Sequence, residues 1–290
     1  MSGPAVSIVI PCHNGGRFLD ALLASLAAQT YRDFEVIIVN DGSTEPETLR
    51  KLDALRASVR VVDQDNRYLP AARNTGFATA YGQFVLPLDC DDTLDPEYLD
   101  VTVAALREAP PDVGFVFTHM RLVGALGGVL RHRFDRFGQL FLNHLPYCML
   151  IRKSAWATAR GYDETMRDGM EDWEFNIRLA AAGCRGVEIK RPLFNYTVRA
   201  DGMLLSKSAR MQGTIWRQIR QRHKNRYRLP ALFSTWRASG SDLGTTMTAV
   251  ALLGAGAILP VSWFDALFYR MMMAVRSLRV RRGIIHSGNG

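Results

Sequence analysis

The sequence predicts an α/β fold, a doubly wound, mostly parallel sheet flanked by helices, with a helical and basic C-terminal region joined to it. Two patterns carry that reading. Through the first third of the chain, short unbroken runs of β-branched residues alternate with stretches whose apolar residues recur at helical spacing, the βαβ rhythm of a parallel sheet. Charge then changes abruptly. From Gly202 onward the 290-residue chain carries fourteen Lys or Arg against two acids (+12), whereas the first 201 residues carry 22 bases and 26 acids (−4). With 48% hydrophobic and 22% charged residues the chain can bury a core, which excludes a disordered polyelectrolyte and a multi-span membrane protein.

Ala5 to Ile10 (AVSIVI) reads as a strand buried on both faces, and Leu19, Leu22, Leu23 and Leu26 then share one helical face. Phe34 to Val39 (FEVIIV) is a second buried strand, closed by Asn40-Asp41-Gly42-Ser43; Thr44, Pro46 and Glu47 follow with capping-box spacing. Val59 to Asp63 reads as a third strand, Pro70 to Tyr81 as a helix and Gln83 to Leu88 as a fourth strand. Beyond Asp92 the spacing predicts a helix over Pro96 to Glu108 and strands over Val113 to Phe117 and Tyr147 to Ile151. A helix follows over Glu171 to Ala182, stopped by Gly183, then a strand or hairpin over Val187 to Val198. These assignments divide the chain into residues 1–202 (halves of about 1–95 and 96–202) and a region from 203 to 290.

Ligands of an open parallel sheet bind outside the carboxyl ends of its strands, so the turns there are the ones to read. They are Cys12-His13-Asn14-Gly15-Gly16, Asn40-Asp41-Gly42-Ser43, Asp65-Asn66-Arg67 and Asp89-Cys90-Asp91-Asp92. Asp and Asn are ordinary at strand ends and helix caps. Three acidic turns on one rim nevertheless repel one another unless a cation or a hydroxyl-rich ligand offsets their charge. No GxxxxGK[ST] or GxGxxG occurs, so the phosphates of a bound nucleotide would need a metal, and a hard cation such as Mg²⁺ or Mn²⁺ suits Asp89 and Asp91. In an extended segment these two point to one side and Cys90 to the other.

SIVIPCHN, VIIVNDGST, AARNTGFATAYGQFVLPLDCDD and GMEDWEFNIRLAAAG together resemble the successive signatures of family 2 glycosyltransferases with the GT-A fold, over roughly residues 5 to 200. The resemblance implies an inverting transferase using a nucleotide sugar, a UDP-sugar above all, with Mn²⁺ or Mg²⁺. It places Pro11, His13, Asn14, Asp41, Arg73, Asn74 and Asp89 around the donor, with Asp41 on the base, Arg73 holding the nucleotide and Asp89 on the ribose. Asp91 binds the metal, Asp172 is the base, and Glu171 and Trp173 stand on the acceptor side. Other readings exist: Glu171 and Asp172 favour a helix dipole, with Asp168 to Glu171 at capping-box spacing. His13 is a packing residue rather than a proton carrier, and Trp173 is either a sugar-stacking platform or core. Two departures stand out. Tyr196-Thr197-Val198-Arg199 lacks the further metal-ligating histidine of some relatives, and Pro87 removes a strand donor, which implies an edge or bulge there.

In the C-terminal region, Lys207 to Arg228 holds eight bases and no acid, and Leu243 to Phe264 is uncharged for 22 residues. Glycines, Pro260 and three threonines weaken a membrane span, so this run suits an anionic membrane surface or a re-entrant segment, with soluble packing or a homo-oligomer interface as the alternative. Leu267, Met271, Val275 and Leu278 continue it as a stripe beside arginines. No nucleic-acid-binding fold accompanies the charge. Four scattered cysteines without a CxxC pair and the lack of room for a secretory signal before Pro11 fit a cytoplasmic protein at the inner face of a membrane. The acceptor is then a glycan or lipid-linked saccharide. Nucleotidyl transfer on a similar sheet and a degenerate binding scaffold are the rival functions.

Overall fold

The computed structural model describes residues 3–199, 211–281 and 285–287. Its first part follows the predicted alternation. β1 (Val6–Cys12), buried throughout, pairs in parallel with β2 (Phe34–Asp41) on one side and β4 (Phe84–Pro87) on the other, and β3 (Arg60–Gln64) extends the sheet beyond β2. The connecting helices are α1 (Leu19–Ala27), α2 (Pro46–Leu55) and α3 (Tyr68–Thr79). The capping box expected at Thr44 does not form. Instead the first amides of that turn, Thr44 N and Glu45 N, donate to Asn14 Oδ1 at 2.8 and 3.0 Å, tying the loop after β1 to α2.

After the short β5 (Thr93–Leu94) and α4 (Tyr98–Glu108) the sheet becomes mixed. β6 runs from Val113 to Gly124, longer than predicted, and turns at Gly124 (φ +89°) into β7 (Leu126–Leu130), which the sequence did not announce. A Cβ at Gly124 would stand 2.9 Å from the Val198 carbonyl oxygen. β8 (Leu150–Arg152) lies antiparallel between β4 and β6, and a short α5 (Lys153–Thr158) follows it directly. α6 spans Glu171–Ala181, and β9 (Arg185–Val198) is a single long strand, parallel to β6 and antiparallel to β5. With β10 (Ile285–Ser287) on β7, the order is β10-β7-β6-β8-β4-β1-β2-β3. Pro87 sits in a central strand, yet the last β4–β8 pair is Val85 with Ile151, so its missing donor falls where β8 has already ended. The edge expected from this proline is a local one.

Each sheet face carries its own core. Ile8, Ile10 and Leu86 pack with Leu19, Leu22 and Leu26 of α1 and Leu99 and Val103 of α4. On the other face Val9, Val39 and Phe115 pack with Phe77 of α3 and Phe175 and Leu179 of α6. A third core joins Trp173 and Ile177, on the back of α6, to helices α7 (Gln212–Arg222), α8 (Leu229–Ser239), α9 (Leu243–Ile258) and α10 (Val261–Arg281), through Ile215, Trp216, Leu232, Leu252 and Phe264. The expected boundary near 202 lies outside the described residues, as do the side chains of Val275 and Leu278 and the start of the basic stretch at Lys207. The uncharged run is broken at Pro260 into α9 and the first turn of α10. Among the described residues no helix is long and apolar enough to cross a membrane.

Gly76 is where α3 comes closest to the sheet: a Cβ there would stand 2.2 Å from Val9 Cγ1 and 3.2 Å from Val39 Cγ2. Gly76→Ala is therefore expected to lower the unfolding free energy by about 1–3 kcal/mol, the usual cost of overpacking a close-packed interior. Urea titration followed by circular dichroism measures it, and an unchanged midpoint would show that the helix can lift without cost.

Candidate active site

At the carboxyl edge of the sheet the loops are pinned to one another by side chains. Pro11 is buried at the end of β1, and the exposed His13 after it places Nδ1 2.8 Å from the Asp41 carbonyl oxygen. Asn14 adopts φ 53°, a left-handed conformation that Asn tolerates better than most residues. Its side chain is spent on the loop after β2. Asp41 is buried, and its Oδ1 accepts from Gln64 Nε2 at 2.7 Å and from Arg67 N at 2.8 Å, so the third loop is drawn onto the second.

Arg73, on α3, is the centre of the site. Only 1% exposed, it donates from Nη2 to Asp89 Oδ1 at 2.7 Å and from Nη1 to Glu171 Oε1 at 2.5 Å. Its guanidinium carbon lies 4.8 Å from the centre of the Tyr147 ring and 5.5 Å from that of Tyr162. Its Nε is buried without a hydrogen-bond partner among the described residues. An unpaired charge at this depth would be prohibitive, and two carboxylates together with two aromatic faces offset it.

Asp89 to Asp92 form a turn rather than the extended segment expected, because Asp92 N donates to the Asp89 carbonyl at 3.1 Å. Asp89 N donates to the Tyr147 hydroxyl at 2.9 Å, and that hydroxyl donates to Asp92 Oδ2. Asp92 Oδ1 accepts from Thr197 N on β9 at 2.7 Å. Burial, with the charges of Asp89 and Asp91, pushes Asp92 well above the usual carboxylate range. Asp91 is raised by the same two causes, burial first and then Asp89, and it meets Arg199 Nη1 only at 3.5 Å. Cys90 turns toward Cys12: a Cβ built on Gly15 would lie 2.5 Å from Cys90 Sγ and 3.6 Å from Cys12 Sγ.

α6 brings the second pair of carboxylates. Met170, at φ 63°, precedes it and no side-chain cap closes it, so the capping reading of Asp168 and Glu171 does not describe this helix start. Glu171 is buried against Arg73. Burial lifts its pKa to about 7, with Arg73 opposing and the neighbouring Asp172 reinforcing the rise. Asp172 is half-buried; Oδ2 accepts from Asn143 Nδ2 at 2.8 Å and Oδ1 from Trp173 N at 2.8 Å. Its pKa is also raised, by burial above all and against the pull of Arg73. Asn143 is in turn held by Gln139 Nε2 at 2.9 Å.

The structure thus brings Arg73, Asp89 and Glu171 into one cluster, with Asp91 and Asp172 at its margins. Asn74 is committed elsewhere: its amide exchanges bonds with Tyr162 N (2.7 Å) and Tyr162 O (2.9 Å), and it also reaches Glu164. Trp173 is 1% exposed and donates Nε1 to the Gln139 carbonyl. Of its two sequence readings, core describes its placement, since no ring face is open to a sugar. Glu171, expected on the acceptor side, turns its carboxylate inward to Arg73. Tyr162, Asn143 and Gln139 complete the site without having been singled out, because they come from segments with no periodicity to mark them, and Tyr147, expected only as the start of a strand, lies before that strand begins at Leu150. Among the described residues no three ligating side chains gather as a metal cage. Asp91 offers a half-buried carboxylate beside Asp89, which fits a hard cation completed by phosphate oxygens and water.

The profile of Glycosyl transferase family 2 matches residues 7–162, more than half of the chain. The chain belongs to this family. The putative glycosyltransferase EpsE of Bacillus subtilis is 30% identical over 222 residues, 69% of this chain and 74% of its own length. The hyaluronan synthase of Pasteurella multocida is 26% identical over 215 residues, 70% of this chain, and the match spans only 21% of the synthase. Other relatives are likewise longer, the chain spanning 16% and 30% of two of them. Among solved structures, TarS 1-349 of S. aureus in complex with UDP-GlcNAc superposes with a TM-score of 0.59 at 20% identity, covering 96% of this chain and 92% of that one. The mannosyltransferase PcManGT of Pyrobaculum calidifontis, in complex with GDP-Man and Mn²⁺, gives 0.57 at 16% identity, covering 95% and 87%. These likenesses establish the GT-A fold.

Arg73→Ala would leave Asp89 and Glu171 facing each other without their cation. A loss of about 3–5 kcal/mol in stability is expected, the scale for removing one member of a buried ion pair. Arg73→Lys should recover only part of it, because an ammonium cannot reproduce the fork that reaches two carboxylates at once. Equal stability of the alanine variant and the wild type, by denaturant unfolding, would contradict this account.

Proposed function

We propose that the protein is an inverting glycosyltransferase that moves a sugar from a UDP-sugar to a hydroxyl of a glycan or lipid-linked saccharide. The observation that carries this reading is the buried Arg73 joining the Asp89 turn to the Glu171-Asp172 helix start. A transferase needs those two groups, one for the departing diphosphate and one for the acceptor, held in fixed relation. Support for the donor comes from the UDP-GlcNAc held by TarS, and for a growing glycan as acceptor from the hyaluronan synthase.

In this reading the nucleotide lies along the strand ends beside Pro11, His13, Asn14 and Asp41, with Asp89 toward the ribose. Asp91 would hold Mn²⁺ or Mg²⁺, which would supply positive charge to offset that developing on the diphosphate. Asp172 accepts the proton of the acceptor hydroxyl while that oxygen bonds to the anomeric carbon and the carbon–diphosphate bond breaks on the opposite face. Asn143 and the Trp173 amide hold its two oxygens, so the base is oriented before the acceptor arrives. Burial raises its pKa and makes it a stronger base than an exposed aspartate. Arg73 and Asn74 position the loops around the donor, while Glu171 balances Arg73 and, by its charge, tunes Asp172. Residues 1–95 would then be the donor half, 96–202 the acceptor half, and 203–290 the part that brings the enzyme to anionic lipid at the cytoplasmic face of a membrane.

Asp172→Asn is expected to lower turnover about 100-fold or more, the usual scale for a lost general base, with UDP affinity nearly unchanged. Calorimetry and a turnover assay across a panel of nucleotide sugars measure both. Wild-type turnover in this variant would move the base elsewhere, and no turnover by the wild type with any donor would leave a binding scaffold. Asp91→Asn should abolish the part of UDP binding that Mn²⁺ adds.

The pH profile supplies a separate check. Because the carboxylate pair of Glu171 and Asp172 is raised, kcat/KM should fall on the acid side as the base gains its proton, with an apparent pKa toward neutrality rather than near 4. Glu171→Gln removes the member of the coupled pair that is raised to about 7 and leaves Asp172 to titrate alone, which should move that limb to lower pH. A limb shifted to higher pH would show that Glu171 acts on Asp172 other than through its charge.

A further inference from the structure

The C-terminal helices hold a cavity of about 380 Å³ lined by Arg217, Arg220, Gln221, Lys224, Tyr227 and Gly256. Three cations, one amide, a phenol and a glycine form an anion-binding lining. The acids on the C-terminal helices and those that pair with them are committed elsewhere: Asp242 to Thr245 N and Arg133, Asp265 to Thr214, Glu174 to Arg178 and His223, and Asp163 to Arg222. The two arginines are held in place. Arg217 donates Nη2 to the Leu259 carbonyl at 2.9 Å with its Nε buried and unpartnered among the described residues, and Arg220 stacks over Trp216 at 4.9 Å and Tyr227 at 5.7 Å. Gly256 admits this packing, since a Cβ there would lie 2.8 Å from the Trp216 ring and 3.6 Å from Arg220 Nη1.

What surrounds the cavity points to the source of the anion. Eleven of the fourteen exposed large hydrophobic side chains among the described residues lie between 229 and 271, and the two most exposed are Ile258 (82%) and Leu229 (80%). Each stands two residues from a lining residue, Ile258 from Gly256 and Leu229 from Tyr227. Apolar spacing continues from both, through Phe233 and Trp236 on α8 and through Trp263, Leu267 and Met271 on α10. The inner stripes of the same helices, with Leu232, Leu252, Phe264 and Phe268, fill the third core, so the outer stripes are additional to what the fold needs. A cationic cavity whose rim leads to exposed apolar side chains suits an amphiphile, with its phosphate inside and its chains along the helices.

We propose that this cavity binds the phosphate headgroup of an anionic lipid and so fixes the enzyme's position on the membrane. The proposal rests on the membrane reading of residues 203–290 and sharpens it from diffuse attraction to a site. The test uses the full chain and vesicles of phosphatidylcholine with or without phosphatidylglycerol at physiological salt. Arg220→Gln with Lys224→Gln alters the cavity; Arg226→Gln with Arg228→Gln removes the same charge outside it. We expect the cavity variant to lose at least tenfold more affinity for the anionic vesicles than the control variant, with an unchanged Tm. Millimolar inorganic phosphate should leave wild-type vesicle binding within about twofold. Equal losses in the two variants would overturn the cavity and leave diffuse attraction. Binding of inorganic phosphate to the wild type but not to the cavity variant, with vesicle binding equal in the two, would assign the cavity to a soluble anion. No binding of the wild type to anionic vesicles would overturn the cavity and the membrane reading together, whereas turnover of a nucleotide sugar tests the transferase reading independently. Should Arg220→Gln lower Tm, the exposed Lys224→Gln carries the comparison against Arg226→Gln, with about a fivefold difference expected and equality overturning it.

Discussion

Everything that makes this sheet edge a site depends on one buried cation. Arg73 reaches Asp89 at the end of β4 and Glu171 at the start of α6, 16 and 98 residues away along the chain. The guanidinium would not stay buried and charged without these two partners. The three charges hold one another in place. Their geometry also orders everything around them, because the Tyr147 and Tyr162 rings that cover the guanidinium belong to the loops carrying the Asp92 contact and the Asn74 clamp. Three carboxylates, Asp89, Glu171 and Asp172, share this one cation. Burial above all, with that excess of negative charge added to it, lifts the proton affinity of the α6 pair.

The third core explains why the C-terminal helices matter to the chemistry. α6 is clamped: Phe175 and Leu179 face the sheet, while Trp173 and Ile177 face Ile215, Trp216 and Phe264. Asp172 lies at the start of a helix whose two long sides are both buried. Its direction is therefore set as much by residues beyond 211 as by the sheet. The Gln139 carbonyl that accepts from Trp173 lies one residue before the Leu140 carbonyl that accepts from Trp216, so a single loop links the α6 start to α7.

Much of this arrangement could be read from the chain alone. Short apolar runs gave β1, β2 and β4 nearly to the residue, because strands buried on both faces leave no polar alternation to confuse them. The acidic turns after them marked the rim for the same reason: polar residues concentrate where such strands emerge. The antiparallel part was less legible. β7 contains two glycines and depends on its pairing with β6, and the length of β6 is set by β9, a partner more than sixty residues distant. Trp173 could not be assigned from sequence because stacking platform and core ask for the same residue, and only the position of α7 decides between them. Asn143 and Gln139 carried no signal. Their importance comes from where a loop without periodicity happens to touch Asp172.

Pro87 has an effect that reaches beyond its own position. In the antiparallel register set by Val85 and Ile151, residues 87 and 149 would form the next rung, and 89 and 147 the one after. The proline has no N–H to offer, so the two chains part while still running side by side. The Asp89 amide then meets not a carbonyl but the hydroxyl of Tyr147, which stands at the position the register assigns. A side chain has replaced the backbone in the ladder, and unlike a carbonyl it can pass a hydrogen bond onward, to Asp92. By interrupting a strand one residue early, the chain turns the end of a β-sheet into a relay among three polar groups.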